Sequence, residues 1–474
     1  MSMSTDTPVS LYAARAHVFP KAVQGWFRRL KWWIMGVTLA IYYLTPWIRW
    51  DRGPHLPDQA VLIDLANRRF YFFWIEIWPH EFYYVAGLLI MAGIGLFLFT
   101  SVLGRVWCGY TCPQTVWVDV YQHVERWIDG DRNAQFRLLK TPWTSHKILR
   151  RSAKYLIFLL IAVATGGAWV FYFADAPTLA VDLVTLDAHP IAYATVGVLT
   201  ATTFILGGFL REQVCIYMCP WPRIQGAMLD ENSLIVTYKD WRGEPRGKHR
   251  KSEAAQELGD CIDCNACVAV CPTGVDIREG QQIGCITCAL CIDACDDIMA
   301  KVGKPRGLID YCSLSDETLE RAGNAPIPIW KRVVRTRTIF YFSLWAAIGV
   351  GLVVALFLRD TIDLTVRHNR NPVFVTLSDG SIRNAYEVRI QNRNADPNIF
   401  RLSALSDPYL RLSVQGEEAA AIQIPADETM KLRVFLTSPA GAEIFGRVPA
   451  RLWVENLMTR ERSYYDTHFQ GPDQ

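Results

Sequence analysis

Long uncharged apolar runs alternate with polar stretches through the first three quarters of the chain, and short alternating runs fill the last quarter. Five apolar runs, Trp32–Ile48, Tyr84–Leu103, Tyr155–Phe173, Ile191–Leu210 and Ile339–Leu358, contain no Asp, Glu, Lys or Arg. Each is about as long as a bilayer-spanning helix needs, roughly 17–25 residues. One such run could be a buried core helix of a soluble protein, but five argue for transmembrane helices. Basic residues then orient the spans. Arg15, Lys21, Arg28, Arg29 and Lys31 precede the first, and Arg105, Arg126, Arg132, Arg137, Lys140, Lys147, Arg150, Arg151 and Lys154 lie between the second and third. The connection 174–190 has no Lys or Arg but carries Asp175, Asp182 and Asp187, while Lys331, Arg332, Arg335 and Arg337 stand before the fifth span. The positive-inside rule places the N-terminus in the cytoplasm and, after five spans, the C-terminus outside. The first external loop runs against this bias with Arg49, Arg52, Arg68 and Arg69, and its aromatic segment Phe70–Trp78 reads as interfacial.

The expected organisation is mixed. Residues 1–31 form a cytoplasmic N-terminal segment, and 32–210 a membrane domain with the first four spans. Residues 211–338 form a cytoplasmic insertion, 339–358 the fifth transmembrane helix and 359–474 an external domain. In the last of these, the runs Val373–Leu377, Tyr386–Ile390, Leu410–Val414, Lys431–Leu436 and Arg451–Glu455 are separated by turn signals such as Asp379-Gly380 and Pro397-Asn398. That pattern predicts an all-β, immunoglobulin-like sandwich.

Composition supports this picture. Of 474 residues, 51% are hydrophobic although 20% are charged, which suits apolar spans joined to polar domains. The 17 Trp and 19 Tyr suit interfacial aromatic belts. A net charge of +3 with no basic stripe argues against nucleic acid as a partner. The polar first residues carry no apolar core with a cleavage site, so no removable signal peptide is expected.

The chemistry lies in the 13 cysteines, which all fall between Cys108 and Cys312. Cys261, Cys264, Cys267 and Cys271 are spaced C-x2-C-x2-C-x3-C before Pro272, and Cys285, Cys288, Cys291 and Cys295 repeat the spacing. This is the run of a bacterial two-cluster ferredoxin, an α+β module expected over about 252–300. In such a run three close thiolates wrap one [4Fe–4S] cubane and the fourth ligates the other. Cys261, Cys264, Cys267 and Cys295 are therefore assigned to one cluster, and Cys285, Cys288, Cys291 and Cys271 to the second. Zinc usually takes two separated C-x2-C knuckles, a poorer match. The second run departs from the pattern, with Asp296 in place of Pro after Cys295; its charge would lower the nearby potential.

Two further pairs follow the ends of spans. Cys108-Gly-Tyr-Thr-Cys112-Pro113 and Cys215-Ile-Tyr-Met-Cys219-Pro220 both read C-x-Y-x-C-P, five residues past an apolar run. This internal repeat, at 108–113 and 215–220, suggests two helix pairs related by an axis along the membrane normal, bringing both cysteine pairs together beside the ferredoxin insertion. Cysteines at i and i+4 share a face on a continuing helix, and the Pro would end or kink it. Four thiolates there suit Cu(I), another soft metal or a dithiol redox step. Cys312 stands alone and reads as a buried packing residue. No histidine falls inside a span, which argues against membrane haem, and no phosphate-binding loop is present.

With these motifs in view, the chain resembles the FixG/CcoG/RdxA family, polyferredoxin-like accessory proteins in assembly of cbb3-type cytochrome c oxidase. The resemblance rests on the two C-x3-C-P span ends, the stretch CIDCNACVAVCPTGVDIREGQQIGCITCALCIDACDD and the C-terminal β domain, in that order. It implies a bacterial inner-membrane protein with two [4Fe–4S] clusters and a role in copper delivery, as an oxidoreductase taking Cu(II) to Cu(I). Partners would be oxidase-assembly and copper-transport proteins and an unidentified electron donor, with the periplasmic domain as docking surface. For Cys108, Cys112, Cys215 and Cys219 it leaves copper binding and electron relay open. A quinol-linked subunit of a respiratory reductase, as in NapH-like and NosR-like proteins, and a non-catalytic assembly scaffold are the alternatives.

Overall fold

The computed structural model describes residues 18–472 apart from 54–55, 248–257, 360–361 and positions 395, 408, 427 and 443. The stretch 1–17, with Arg15, and the start of the ferredoxin segment expected from about 252 lie outside the described residues. The chain divides into two compact units, Met1–Ile48 with Gln59–Gly351 and Arg49–Asp58 with Leu352–Gln474.

Among the described residues, four helices are long and apolar enough to cross a bilayer: Tyr83–Leu103, Ser145–Val170, Pro190–Leu210 and Thr336–Phe357. They contain most of the second to fifth apolar runs. Their large side chains are turned outward, as at Leu88, Leu89 and Phe99 on the first and Val350, Val353 and Phe357 on the last. Such unbroken apolar faces are matched by hydrocarbon, not by water. The first apolar run falls in the helix Trp26–Leu44 and the 3-10 turn Thr45–Trp47. That helix starts six residues before the run and so takes in Arg28, Arg29 and Lys31, which makes it less uniformly apolar than the other four.

Arg28 and Lys31 are buried because the amphipathic helix Pro113–Asp129 supplies carboxylates to meet them. Asp119 receives Arg28 at 2.9 Å and lies 3.8 Å from Lys31. Two turns on, Glu125 lies 3.2 Å and Asp129 2.8 Å from Lys154, and Glu125 also pairs with Arg211. One helix thus ties the first, third and fourth apolar helices together through ion pairs at the edge of the apolar zone. Burial pushes the Asp119 carboxyl up, but Lys31 and Arg28 outweigh it and hold the group below its ordinary value.

Two loops contain structure that the apolar pattern did not announce. The connection 174–190 contains the helix Ala176–Thr185, capped by Asp175, whose carboxylate accepts from the Thr178 N–H at 3.2 Å. The aromatic segment read as interfacial forms most of a three-stranded antiparallel sheet, Val61–Asp64, Arg69–Phe72 and Ile75–Ile77. Its hairpin closes with Arg69 3.3 Å from Glu76 across the strands. In the insertion, Ile235–Tyr238 pairs antiparallel with Ile309–Cys312, and the short helix Ala266–Val270 and the longer Leu290–Val302 share one apolar core with that pair.

The second unit is a β-sandwich. One sheet orders Arg411–Val414, Thr429–Thr437, Ile382–Asn392 and Ile362–His368, with Val375–Thr376 beside the third of these; the other orders Ile422–Ile424, Asn398–Ser406, Arg447–Asn456 and Arg462–Gln470. Alternate residues such as Val388, Ile390, Phe400, Val434, Leu452 and Val454 fill the core. The turn at Asp379-Gly380 forms, with Gly380 at φ 80° and the Leu377 N–H donating to Ser381 O at 2.8 Å. Pro397-Asn398 instead leads directly into a strand, because the buried Asn398 side chain donates to Asn392 Oδ1 at 3.1 Å.

Asp119→Asn will leave Arg28 and Lys31 buried without a counter-charge, and the detergent-solubilised protein should lose about 3–5 kcal/mol, measured as the unfolding free energy in denaturant. Because the native carboxyl titrates below its unfolded value, its stabilisation is complete above about pH 4 and lost as pH falls through the native value. The stability difference between wild type and variant should shrink over that acid range.

Candidate functional site

Each ferredoxin cysteine run is built by the same backbone device. The residues on either side of the second cysteine, Asp263 and Asn265 in the first run and Thr287 and Ala289 in the second, all adopt left-handed conformations with φ between 53° and 60°. Such angles are uncommon for non-glycine residues and unfavourable for β-branched Thr287. They curl seven residues tightly enough to turn three sulfurs to one side, and a helix then starts so that the third cysteine, Cys267 or Cys291, falls in its first turn.

The fourth cysteine of each run joins the other run. Cys295 lies within electrostatic reach of Cys267, Cys264 and Cys261. Cys291 lies within reach of Cys288, Cys285 and Cys271, and beyond them of Cys267. The structure therefore gathers two neighbouring sets of four sulfurs. Cys261, Cys264, Cys267 and Cys295 line a common hollow with Tyr238 and Arg278. Burial pushes the Cys267 thiol up to about 11 and those of Cys288 and Cys295 up to about 12. Bare thiolates are disfavoured there, whereas bound iron would displace the protons and neutralise the sulfurs. Thiolate chemistry and spacing fit a cubane in each set, and in the first the sulfurs also line a common hollow.

Each set is met by cations. Arg278 ties down the first loop, donating to Asp263 at 2.6 Å and Asn265 at 2.5 Å, and faces Cys267. Lys31 faces Cys288 and Arg105 faces Cys285. Positive charge near a cluster favours its reduced state and raises its potential. Asp296 faces Cys295 and also accepts from the Gly307 N–H at 2.9 Å, fixing the loop after the helix.

The span-end motifs are equally alike. Four residues before each first cysteine the chain turns sharply, at Gly104 with φ 61°, ψ −133° and at Arg211 with φ 45°, ψ −113°. An L side chain is strained in that region, and at position 104 a Cβ would also lie 2.3 Å from Leu234 O. Each motif then closes a wide turn, with Cys112 N–H donating to Trp107 O at 2.9 Å and Cys219 N–H to Val214 O at 2.7 Å. A wide turn that stops at the second cysteine, rather than a continuing helix, carries each pair. Pro113 begins the helix Pro113–Asp129, with Cys112 as its N-cap, and Pro220 caps Trp221–Met228. Helix N-termini next to Cys112 and Cys219 favour thiolates. The two pairs meet: Cys215 is within electrostatic reach of Cys112, Cys108 and Cys219. Burial pushes Cys108 up to about 11 and Cys215 up to about 12, against the opposing pull of Arg105.

This third set of sulfurs sits against the ferredoxin. Tyr110 Oη donates to Cys288 O at 3.1 Å. Gly109 lies so close that a Cβ there would fall 2.7 Å from Ile286 O and 3.0 Å from Cys288 Cα. Cys108 and Cys288 share a small apolar core with Val270, Ile286 and Leu290. Arg105 donates to Ile283 O at 2.6 Å, and Cys108 Sγ lies 2.9 Å from Gln225 Oε1. The N-terminal helix docks on the same module, its Phe27 and Arg28 N–H groups donating to Asp293 at 3.3 and 2.8 Å. Gln225 and Asp293 escaped the sequence reading, and Arg105, Gly109 and Tyr110 entered it only as an orienting charge and as members of the first motif, not as contacts to the ferredoxin. Cys312 is buried in the strand that closes the module and joins none of the three sets.

Comparison with known proteins agrees with this chemistry. Residues 210–314 match the family described as a 4Fe-4S dicluster domain, residues 85–132 a 4Fe-4S binding domain, and residues 352–472 the immunoglobulin-like fold at the C-terminus of FixG. The chain is 60% identical over 472 residues to Protein RdxB of Cereibacter sphaeroides, covering 99% of each. It is 60% identical to Protein RdxA of the same organism, over 91% of this chain and 92% of that one. It is 54% identical to the nitrogen fixation protein FixG of Rhizobium meliloti, over 98% of this chain and 94% of that one.

Gly109→Ala should push the Cys108–Cys112 turn off the Cys288 backbone. The expected outcome is a chain that inserts normally but loses iron faster than wild type on exposure to a chelator, followed by the visible absorbance of the clusters.

Proposed function

The chain belongs to the FixG/RdxA family of iron–sulfur electron-transfer proteins, and from that premise we propose that it reduces Cu(II) to Cu(I) for assembly of a cbb3-type cytochrome c oxidase. Cys261, Cys264, Cys267 and Cys295 hold one [4Fe–4S] cluster, and Cys285, Cys288, Cys291 and Cys271 hold the other. Bound clusters supply one-electron chemistry at low potential. Five helices span the inner membrane, the first being Trp26–Leu44 with its following turn. The N-terminus and ferredoxin module face the cytoplasm, and the immunoglobulin-like domain faces the periplasm, where it offers a surface to copper-delivery and oxidase-assembly partners. Cys108, Cys112, Cys215 and Cys219 serve the redox step, by binding copper or by relaying the electron. Each Cu(II) takes one electron to become Cu(I), and a low-potential cytoplasmic donor makes good the loss.

The observation that carries this reading is the seating of the first span-end motif on Cys288, through Gly109, Tyr110 and Arg105. A structural thiol pair at a helix end has no need to lie against a cluster loop, whereas a relay does. The residues around it hold the sulfurs, exclude water and place cationic Arg105 between Cys108 and Cys285.

One feature favours the quinol-linked alternative. A cavity of about 370 Å³, lined by residues including Leu39, Tyr42, Val116, Trp117, Trp169 and Leu199, opens beside Thr111 and Pro113, which flank Cys112. Its size and apolar walls would suit a ring-bearing lipid.

Both readings are tested on purified, dithionite-reduced protein. Cu(I) captured by a Cu(I)-specific chelator should form at a rate that falls at least tenfold in Cys264→Ala; an equal rate in the variant would end the copper reading. Reduction of the oxidised protein by a short-chain quinol, abolished by Trp117→Ala, would put the quinol reading in its place.

A further inference from the structure

The four span-end cysteines raise a question that two ferredoxin clusters leave open: what holds four buried or half-buried sulfurs together. The family matched over residues 85–132 is a 4Fe-4S binding domain, yet that segment contains only Cys108 and Cys112. Two cysteines cannot complete a four-thiolate cluster. The missing pair is supplied by the internal repeat, since Cys215 and Cys219 close the same group.

The surroundings suit an anionic cluster. Arg105 faces both Cys108 and Cys215, and the helix Pro113–Asp129 begins at Cys112. Cys108 packs against Cys288 in one apolar core, and the Ile216 side chain, inside the second motif, would be 3.7 Å from a Cβ on Gly284, next to Cys285.

We propose that Cys108, Cys112, Cys215 and Cys219 together ligate a third [4Fe–4S] cluster, built from one C-x3-C pair of each repeat and seated beside the second ferredoxin set. This deepens the relay role given above to the same residues and rests on it: the site is an iron–sulfur station, and copper is reduced without being held by these thiolates.

The test is an iron and acid-labile sulfide count on the full-length chain, purified anaerobically in detergent, with 57Fe Mössbauer spectroscopy on the same sample. About twelve irons and twelve sulfides per chain are expected, falling to about eight in Cys219→Ala and in Cys112→Ala. Cys264→Ala, in the first ferredoxin set, should lose a different four, so the double variant Cys219→Ala/Cys264→Ala should retain about four. Eight irons in wild type overturn the proposal, as does a wild-type count that neither span-end exchange alters. If a variant fails to insert, the Mössbauer area of the wild-type cubanes relative to protein still decides between two clusters and three. The count is independent of copper: a two-cluster protein that still reduces Cu(II) would sink this inference alone, and a three-cluster protein inert toward Cu(II) would sink only the copper reading.

Discussion

The constraint on which this molecule depends is that a thiolate cannot persist in a buried site without a counter-charge. Twelve cysteines stand in three groups at the junction of membrane helices and insertion, and burial opposes ionisation at Cys108, Cys215, Cys267, Cys288 and Cys295. Iron relieves that opposition in the ferredoxin module, and the metal's binding energy becomes folding energy. Basic residues complete the balance. Arg278, Lys31 and Arg105 each face sulfur, and Lys31 and Arg28 are themselves held by Asp119. The ion pairs of the membrane junction and the sulfur sites thus belong to one electrostatic system.

The backbone carries its own share of the cost. Thr287 and Ala289 would relax out of their left-handed conformations if nothing restrained them, and here Tyr311 Oη donates to Thr287 O at 2.8 Å and Tyr110 Oη to Cys288 O at 3.1 Å. In the first run Arg278 does the corresponding work through side chains. The two loops share a shape but are braced differently, one from within the module and one partly from a membrane helix end. The second is therefore placed to respond to what happens at Cys108 and Cys112.

What was legible in the sequence was what depends on near neighbours along the chain. Cysteine spacing, apolar run length and the repeated hexapeptide are local patterns, and each led to an element or a site. The docking was not legible. Nothing local marks Asp293, between two cysteines of one run, as the acceptor for the N–H groups of a helix more than two hundred residues earlier. Likewise Phe70–Trp78 looked like an aromatic belt because its strand pairing depends on Val61–Asp64, a run of only four residues outside the segment. Four strands of the sandwich, Ile362–His368, Asn398–Ser406, Ile422–Ile424 and Arg462–Gln470, were missed: the first alternates but follows directly on the fifth apolar run, the third alternates over three residues only, and the last is mostly polar and takes its order from tertiary packing.

The Asp293 contact also bears on the order of events during biosynthesis. The carboxylate that receives the first helix is translated 265 residues after Arg28. The first helix's leading amide groups must therefore find other partners until Asp293 has been made, so the latch between that helix and the ferredoxin module closes only after more than half of the chain has been synthesised.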